Sequence, residues 1–257
     1  MQSPDPAMRA ILGAISRGVP LYNSGDIEGC ATLYLDIANA VISSGSLTDL
    51  SALELSSIVA SPALTAMDRA WALRHAFDRF LGDIAFSQRL EAPLPFGFPG
   101  PDRAGCVVEK SYPLYRAAVA GGGTGTFGVL FRHISQKGIA MTAPVVSRLG
   151  AGAGAGAGAD AVNMAFCYQS PTLGAPAAPA NGVEVIDVPP MRVLSVGVRG
   201  GGGGGGGDPP LALARETLEA RLALGDLIAT KHWRTLGYNS PMVPPSERFW
   251  EVQVVLA

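Results

Sequence analysis

The sequence predicts an α+β protein: a small all-α domain over residues 1–89, a Pro-rich linker over residues 90–103, and a duplicated β-α-β-β domain over residues 104–257. Three observations lead there. Apolar residues recur at helical spacing as far as residue 84, alternation of period two takes over beyond residue 106, and a proline-centred strand pattern occurs twice.

Residues 8–84 read as helical. Residues 18–25 (GVPLYNSG) form a turn-rich loop on this reading. Asp26 then caps a helix whose apolar positions Ile27, Cys30, Leu33, Tyr34, Ile37 and Val41 share a face. A further helix covers residues 47–59. Thr65 and Asp68 have capping-box spacing ahead of Met67, Ala70, Leu73, Phe77, Leu81 and Ile84. His75, near Asp78, reads as a surface histidine. Pro93, Pro95, Pro99 and Pro101 make the linker semi-extended.

The repeat begins with two β-branched runs, residues 106–119 and 183–196, each interrupted by Pro-x-x-Arg at Pro113/Arg116 and Pro189/Arg192. Each copy continues with a glycine-rich loop and a helix. The first helix carries Phe127, Leu130, Phe131 and Ile134. The second starts at Asp208-Pro209 and carries Leu211, Ala214, Leu218, Leu222 and Leu224. Each copy then has a strand around a small polar residue and proline (residues 141–146 and 238–243). It closes with a period-two strand: Val162, Met164, Phe166 and Tyr168 in the first copy, Trp250, Val252, Val254 and Leu256 in the second. About eight strands and two helices result, as an antiparallel sheet with helices laid against it. The tracts at 121–125, 150–159 and 200–207 read as expanded surface loops.

Composition narrows the function. The formal net charge is −2 and only 16% of residues are charged, with no basic run, so nucleic-acid binding is not expected. No apolar stretch reaches the roughly 18 residues a transmembrane helix needs, and no secretory signal pattern opens the chain. Cys30, Cys106 and Cys167 match neither a disulfide framework nor a zinc spacing, and read as buried, inert thiols. Residues 123–128 (GTGTFG) have the spacing of a dinucleotide fingerprint but lack the acidic residue about 20 positions on that would confirm it. No metalloprotease, nucleophile-elbow or other catalytic motif is present. Glu109, Glu184, Asp187, Glu247 and Glu251 read as ordinary strand-face or loop charges.

Three segments carry a family resemblance. Residues 136–146 (QKGIAMTAPVV) resemble the K-I-x-M-T-x-P-V core of the SOUL/haem-binding proteins. Residues 238–252 (YNSPMVPPSERFWEV) resemble that family's closing Y-N-x-P-x-x-P-P-x-x-R-x-x-E-V, and residues 109–116 (EKSYPLYR) its opening strand. The resemblance implies a distorted β-barrel flanked by two helices that reversibly binds haem or another porphyrin. It places the haem surface on the first helix and the turn after it: Phe127, Leu130, Phe131, His133, Ile134, Lys137 and Met141. His133 is the candidate axial iron ligand, and Lys137, Arg116 and Arg234 are candidate partners of the propionates. Residues 18–31 resemble a region found beside such domains in photosynthetic organisms, which implies a chloroplast location, with a cytoplasmic one as the alternative. The helical domain is then a candidate docking module for a protein partner. Competing readings are a hydrolase of a hydrophobic small molecule on the same fold, and a scaffold acting through the helical domain.

Overall fold

The computed structural model describes residues 5–121, 125–149, 163–201 and 209–257. The tracts at 150–159 and 202–207, residues 122–124 and the expected cap Asp208 lie outside the described residues. The chain divides into two compact units: Met1–Phe86 with Ala104–Cys106, and Ser87–Arg103 with Val107–Ala257.

The first unit contains four helices: α1 (Pro6–Asn23), α2 (Ile27–Ser43), α3 (Asp49–Ala60) and α4 (Ala66–Ala85). Each starts at a side-chain cap. Asp5 accepts from Ala7 N, Asp26 from Gly29 N, Thr48 from Ser51 N and Thr65 from Asp68 N. The Thr65 hydroxyl also donates to Asp68 at 2.6 Å. The expected loop at 18–25 is instead mostly helix. Ala7, Ile11, Ala14 and Gly18 form a buried stripe along α1 that continues the helix through Pro20. Proline in this last turn removes one rung of the ladder, but Ser24 N and Asp26 N bond back to the carbonyls of Pro20 and Leu21. Gly18 packs flat on Tyr34, which in turn meets Phe77 edge-on at 5.6 Å. His75 is exposed and stacks on Trp71.

The second unit is built on β1 (Val107–Tyr112), β2 (Tyr115–Ala120), α5 (Thr126–Gln136), β3 (Val145–Leu149), β4 (Asn163–Cys167), β5 (Ala177–Ala180), β6 (Val183–Val188), β7 (Met191–Arg199), α6 (Pro209–Leu222), β8 (Ala229–Gly237) and β9 (Phe249–Leu256). All strand pairs are antiparallel, in the order β1-β7-β9-β8-β3-β4-β2-β6-β5. Two expectations change. Among the described residues the sheet is open, with β1 and β5 at its edges and no pairing that closes a barrel. It also has nine strands and not eight: β5 adds to β6, and the strand expected at residues 238–243 lies just before them, as β8. The Pro-rich stretch is extended as its prolines require, but it belongs to the second unit. Phe96 N bonds to Gln169 O, Ala143 N to Pro93 O, and Asn239 Nδ2 to Arg89 O.

Register assigns the two faces of this sheet. Trp233, Thr235, Ser147, Met164 and Phe166 lie on one side, because each is paired with, or two residues from, the next. Arg215 of α6 stacks over Trp233, and α5 packs its Leu130 and Ile134 with Phe166, Ala118 and Ala120. Both helices therefore cover the same face. Arg234, Gln253, Ser195, Lys110 and Tyr112 point to the opposite, inner face.

Candidate functional site

Helix α5 is placed by its ends and by one buried stripe. Gly125 opens it at φ 102°, a left-handed conformation favoured by glycine. At its other end Ile139 N bonds to Ile134 O and Gly138 N to Ser135 O, with Gly138 at φ 64°. This is a Schellman closure, which turns the chain directly into the segment that holds Met141 and Thr142. Thr142 Oγ1 then donates to Cys167 O at 2.6 Å and fastens that segment to β4.

Leu130 and Ile134 are fully buried, so they anchor the helix and present no ligand surface. Phe127 and Phe131, one turn apart, flank this stripe and are 40% and 50% exposed. Their rings lie nearly parallel, 10° apart in plane and 6.2 Å between centroids, and Phe127 meets Phe166 edge-on at 5.0 Å. This is an apolar platform held from beneath by the core. Met141 is half-buried and packs into the same core. Lys137 caps the helix and is exposed, as is Arg132, a second cation that sequence reasoning passed over.

His133 occupies the other flank. At 3.6 residues per turn it stands roughly 140° around the axis from the phenylalanine pair, across the buried stripe. Its Nε2 is 3.0 Å from the Tyr168 hydroxyl. Partial burial, and to a lesser degree Lys137, holds the imidazole below its ordinary pKa, while burial raises the Tyr168 phenol. A ring stacked on the platform therefore does not meet His133, whose Nε2 already has a partner.

The two arginines are engaged elsewhere. Arg116 lies on the helix-covered face, but its Nε and Nη2 hold Asp187 at 2.7 and 2.9 Å, and Nη1 bonds to the carbonyls of Leu173 and Gly174. The hydrogen bond to Arg116 holds the Asp187 carboxyl below the usual range. Arg234 is on the inner face, across the sheet from α5, so it does not reach a ligand on that helix. Phe127 and Phe131 thus offer a flat apolar surface, while Lys137, whose charge acts on His133, lies on the His133 side of the helix. Axial ligation from His133 does not fit a ring stacked on that surface.

Arg234 belongs to a buried network that sequence reasoning missed. Glu251 is fully buried rather than an ordinary strand-face charge. One of its oxygens takes Lys110 Nζ and Asp102 N, and the other takes Tyr238 OH at 3.0 Å and Gln253 Nε2 at 2.9 Å. Gln253 Nε2 also reaches Tyr112 OH and Ser195 Oγ, and its Oε1 accepts from Arg234 Nε at 2.8 Å. Arg234 Nη1 donates to Tyr115 OH, and the guanidinium lies 4.5 Å over the Tyr112 ring. Burial and the Glu251 charge push the Tyr112 and Tyr238 phenols well up, so both stay protonated. A signal was present in the sequence: Glu251 and Gln253 alternate with Trp250, Val252 and Val254 in a strand buried on both faces.

The helical unit holds a cavity of about 270 Å³ lined by Val19, Tyr22, Cys30, Tyr34, Trp71 and Arg74. Cys30 and Cys167 are buried, while Cys106, expected to be buried too, is only half-buried. Among the described residues no group of histidine, cysteine and acidic side chains is arranged to hold a metal ion, and no helix is long and apolar enough to cross a membrane.

Several solved structures are similar to part of this chain. The EcmrR C-terminal domain matches 59% of this chain and 96% of its own length, at 13% identity and a TM-score of 0.42. A hydrolase from Listeria innocua matches 62% of this chain and 94% of its own, at 10% identity and a TM-score of 0.41. A putative bacterial transcription regulation protein from Staphylococcus aureus matches 58% and 97%, at 6% identity and a TM-score of 0.35. No curated protein matches the chain. The family model described as SOUL heme-binding protein matches residues 107–255, more than half of the sequence, and the chain therefore belongs to the SOUL heme-binding family.

Proposed function

We propose that the second unit reversibly binds haem or a related tetrapyrrole on the exposed face of α5, as a carrier, buffer or sensor and not as an enzyme. The observation that carries this reading is the pair of parallel, half-exposed rings of Phe127 and Phe131 on a helix anchored to the core by Leu130 and Ile134. Exposed aromatic rings held rigid in this way suit the face of a flat apolar ring. Family membership supplies the ligand class. When bound, haem would supply its own redox and ligand-exchange chemistry. The chain's part is to stack Phe127 and Phe131 on the macrocycle and to keep water from one ring face.

The strand order supports a further part of this reading, that the unit arose by duplication. β1 adds to β7 of the second half and β6 adds to β2 of the first, while β3 and β8 meet at the centre. A plastid setting rests on the likeness of residues 18–31 to segments found beside such domains in photosynthetic organisms. The apolar cavity of the helical unit supports a role for that unit in binding a partner.

Titration of the full chain with hemin and with protoporphyrin tests the main reading. A saturable Soret shift at micromolar ligand is expected for both, because stacking does not need the iron. Absence of a saturable change with either would overturn it.

A further inference from the structure

Across the sheet from α5, the network around Glu251 departs from what a purely structural core needs. Lys110, Arg234 and Glu251 are each 5% exposed or less, and the other acid bonded to Lys110, Asp102, is 42% exposed at its side chain. The two buried cations, Lys110 and Arg234, thus face one buried carboxylate, Glu251, and the part-exposed Asp102, and both carboxylates are held by Lys110, neither by Arg234. Buried charge is costly unless it is balanced and fully hydrogen-bonded. Among the described residues Arg234 Nη2 is buried and has no partner, although Nε and Nη1 of the same group are bonded. A second such atom among the described residues, Trp250 Nε1, carries no charge and points to the opposite face.

Tyr112 OH accepts from Gln253 Nε2, which leaves its own proton to donate, and its ring lies under the guanidinium. Ser195, a small side chain, pairs with Gln253 on the inner face. The network also draws on distant segments of the chain. Lys110, Tyr112 and Tyr115 come from the first sheet segment, and Tyr238 and Glu251 from the last. They are the same segments whose motifs mark the family in the sequence.

We propose that this inner face is a second binding site, for the carboxylate of a small organic acid, with Arg234 Nη2 and the Tyr112 hydroxyl as donors. A carboxylate there gives the Arg234 guanidinium, bonded so far only to neutral groups, a counter-charge and satisfies its orphaned N–H groups in one contact. Lys110 and Gln253 act as positioning residues: the first holds Glu251, and the second holds Arg234 through its Oε1. The site is independent of tetrapyrrole binding on α5.

Benzoate is the probe. It is added to the full chain while the arginine Nε–H and backbone amide signals are followed by NMR. Saturable shifts at Arg234, Gln253 and Tyr112 are expected in the millimolar range. Tyr112→Phe keeps the ring and removes only the hydroxyl, and it should weaken benzoate about tenfold, the loss expected for one hydrogen bond to a charged group. Arg234→Lys should abolish the response; because that change can disturb the fold, its melting temperature is measured beside it. No saturable shift at these residues, shifts confined to α5, or equal affinity in Tyr112→Phe would each overturn the proposal. Hemin titration of Tyr112→Phe should match the unaltered chain, so failure of this site and failure of the α5 reading give different results.

Discussion

Replacing Phe131 by alanine tests the α5 platform most directly. About half of the Phe131 surface is open to solvent, and a buried aromatic side chain hides roughly 200 Å². A macrocycle laid over one face of the ring would cover about half of what is open, roughly 50 Å². At about 25 cal/mol per Å² that contributes ~1.2 kcal/mol, close to tenfold in affinity. Phe127 is exposed to a similar degree and parallel to Phe131, so the double alanine variant should lose roughly two orders of magnitude, less whatever the rings contribute to one another. The assay is hemin titration by Soret absorbance, with thermal melting as the control. Phe131→Ala should melt almost normally because the ring is half outside the core. By contrast, Leu130→Ala, fully buried one residue away, should cost about 2–5 kcal/mol of stability. Double-variant affinity within twofold of the unaltered chain, with melting unchanged, would refute the platform.

His133→Ala should leave the absorption spectrum of bound hemin unchanged, since the imidazole stands on the far flank of the buried stripe; loss of a low-spin signature would contradict this. The His133 pKa is depressed in the folded chain, so its contribution to stability is complete above the ordinary value of 6.5 and is lost as pH falls from there through the folded value. His133→Gln should therefore flatten the fall in melting temperature on acidification. Gly18→Ala would put a Cβ 2.3 Å from the Tyr34 ring and should destabilise the helical unit by about 1–3 kcal/mol, read by calorimetry. Glu251→Ala leaves Lys110 buried without its main partner and should cost about 3–5 kcal/mol in chemical denaturation, with Lys110→Met similar in size.

The helices of the first unit were legible because their signals are local. Asp26 lies three residues from the amide it caps, and Thr65 three from Asp68. Residues 18–25 misled for the opposite reason: Gly, Pro, Asn and Ser favour a turn by themselves, and only packing of Gly18 on Tyr34 in another helix continues α1. Strand β5 was not legible because its four residues, AAPA, are all exposed and contain a proline, so no alternation marks them. In the candidate site, the phenylalanine pair and the helix that carries it followed from spacing. The partners of Arg116, Arg234 and Glu251 did not. Asp187 is 71 residues from Arg116, Tyr115 is 119 from Arg234, and Lys110 is 141 from Glu251, so each looks like a solvated charge until the sheet brings them together.

The hydrogen bonds of the Pro-rich stretch determine where this protein can be divided. A truncation beginning at residue 104, the domain boundary read from the sequence, would remove Gly100 and Asp102, which hold the Lys110 ammonium, and Phe98, which meets both Tyr112 and Tyr115 edge-on. The sheet would then start life with its inner network open on one side. Beginning at Ser87 keeps those residues, but Ala104–Cys106 would still be cut off from Leu50, whose amide bonds to Gly105. Because the chain returns to the first unit for three residues before entering β1, no single cut separates the two units without taking a native contact from one of them.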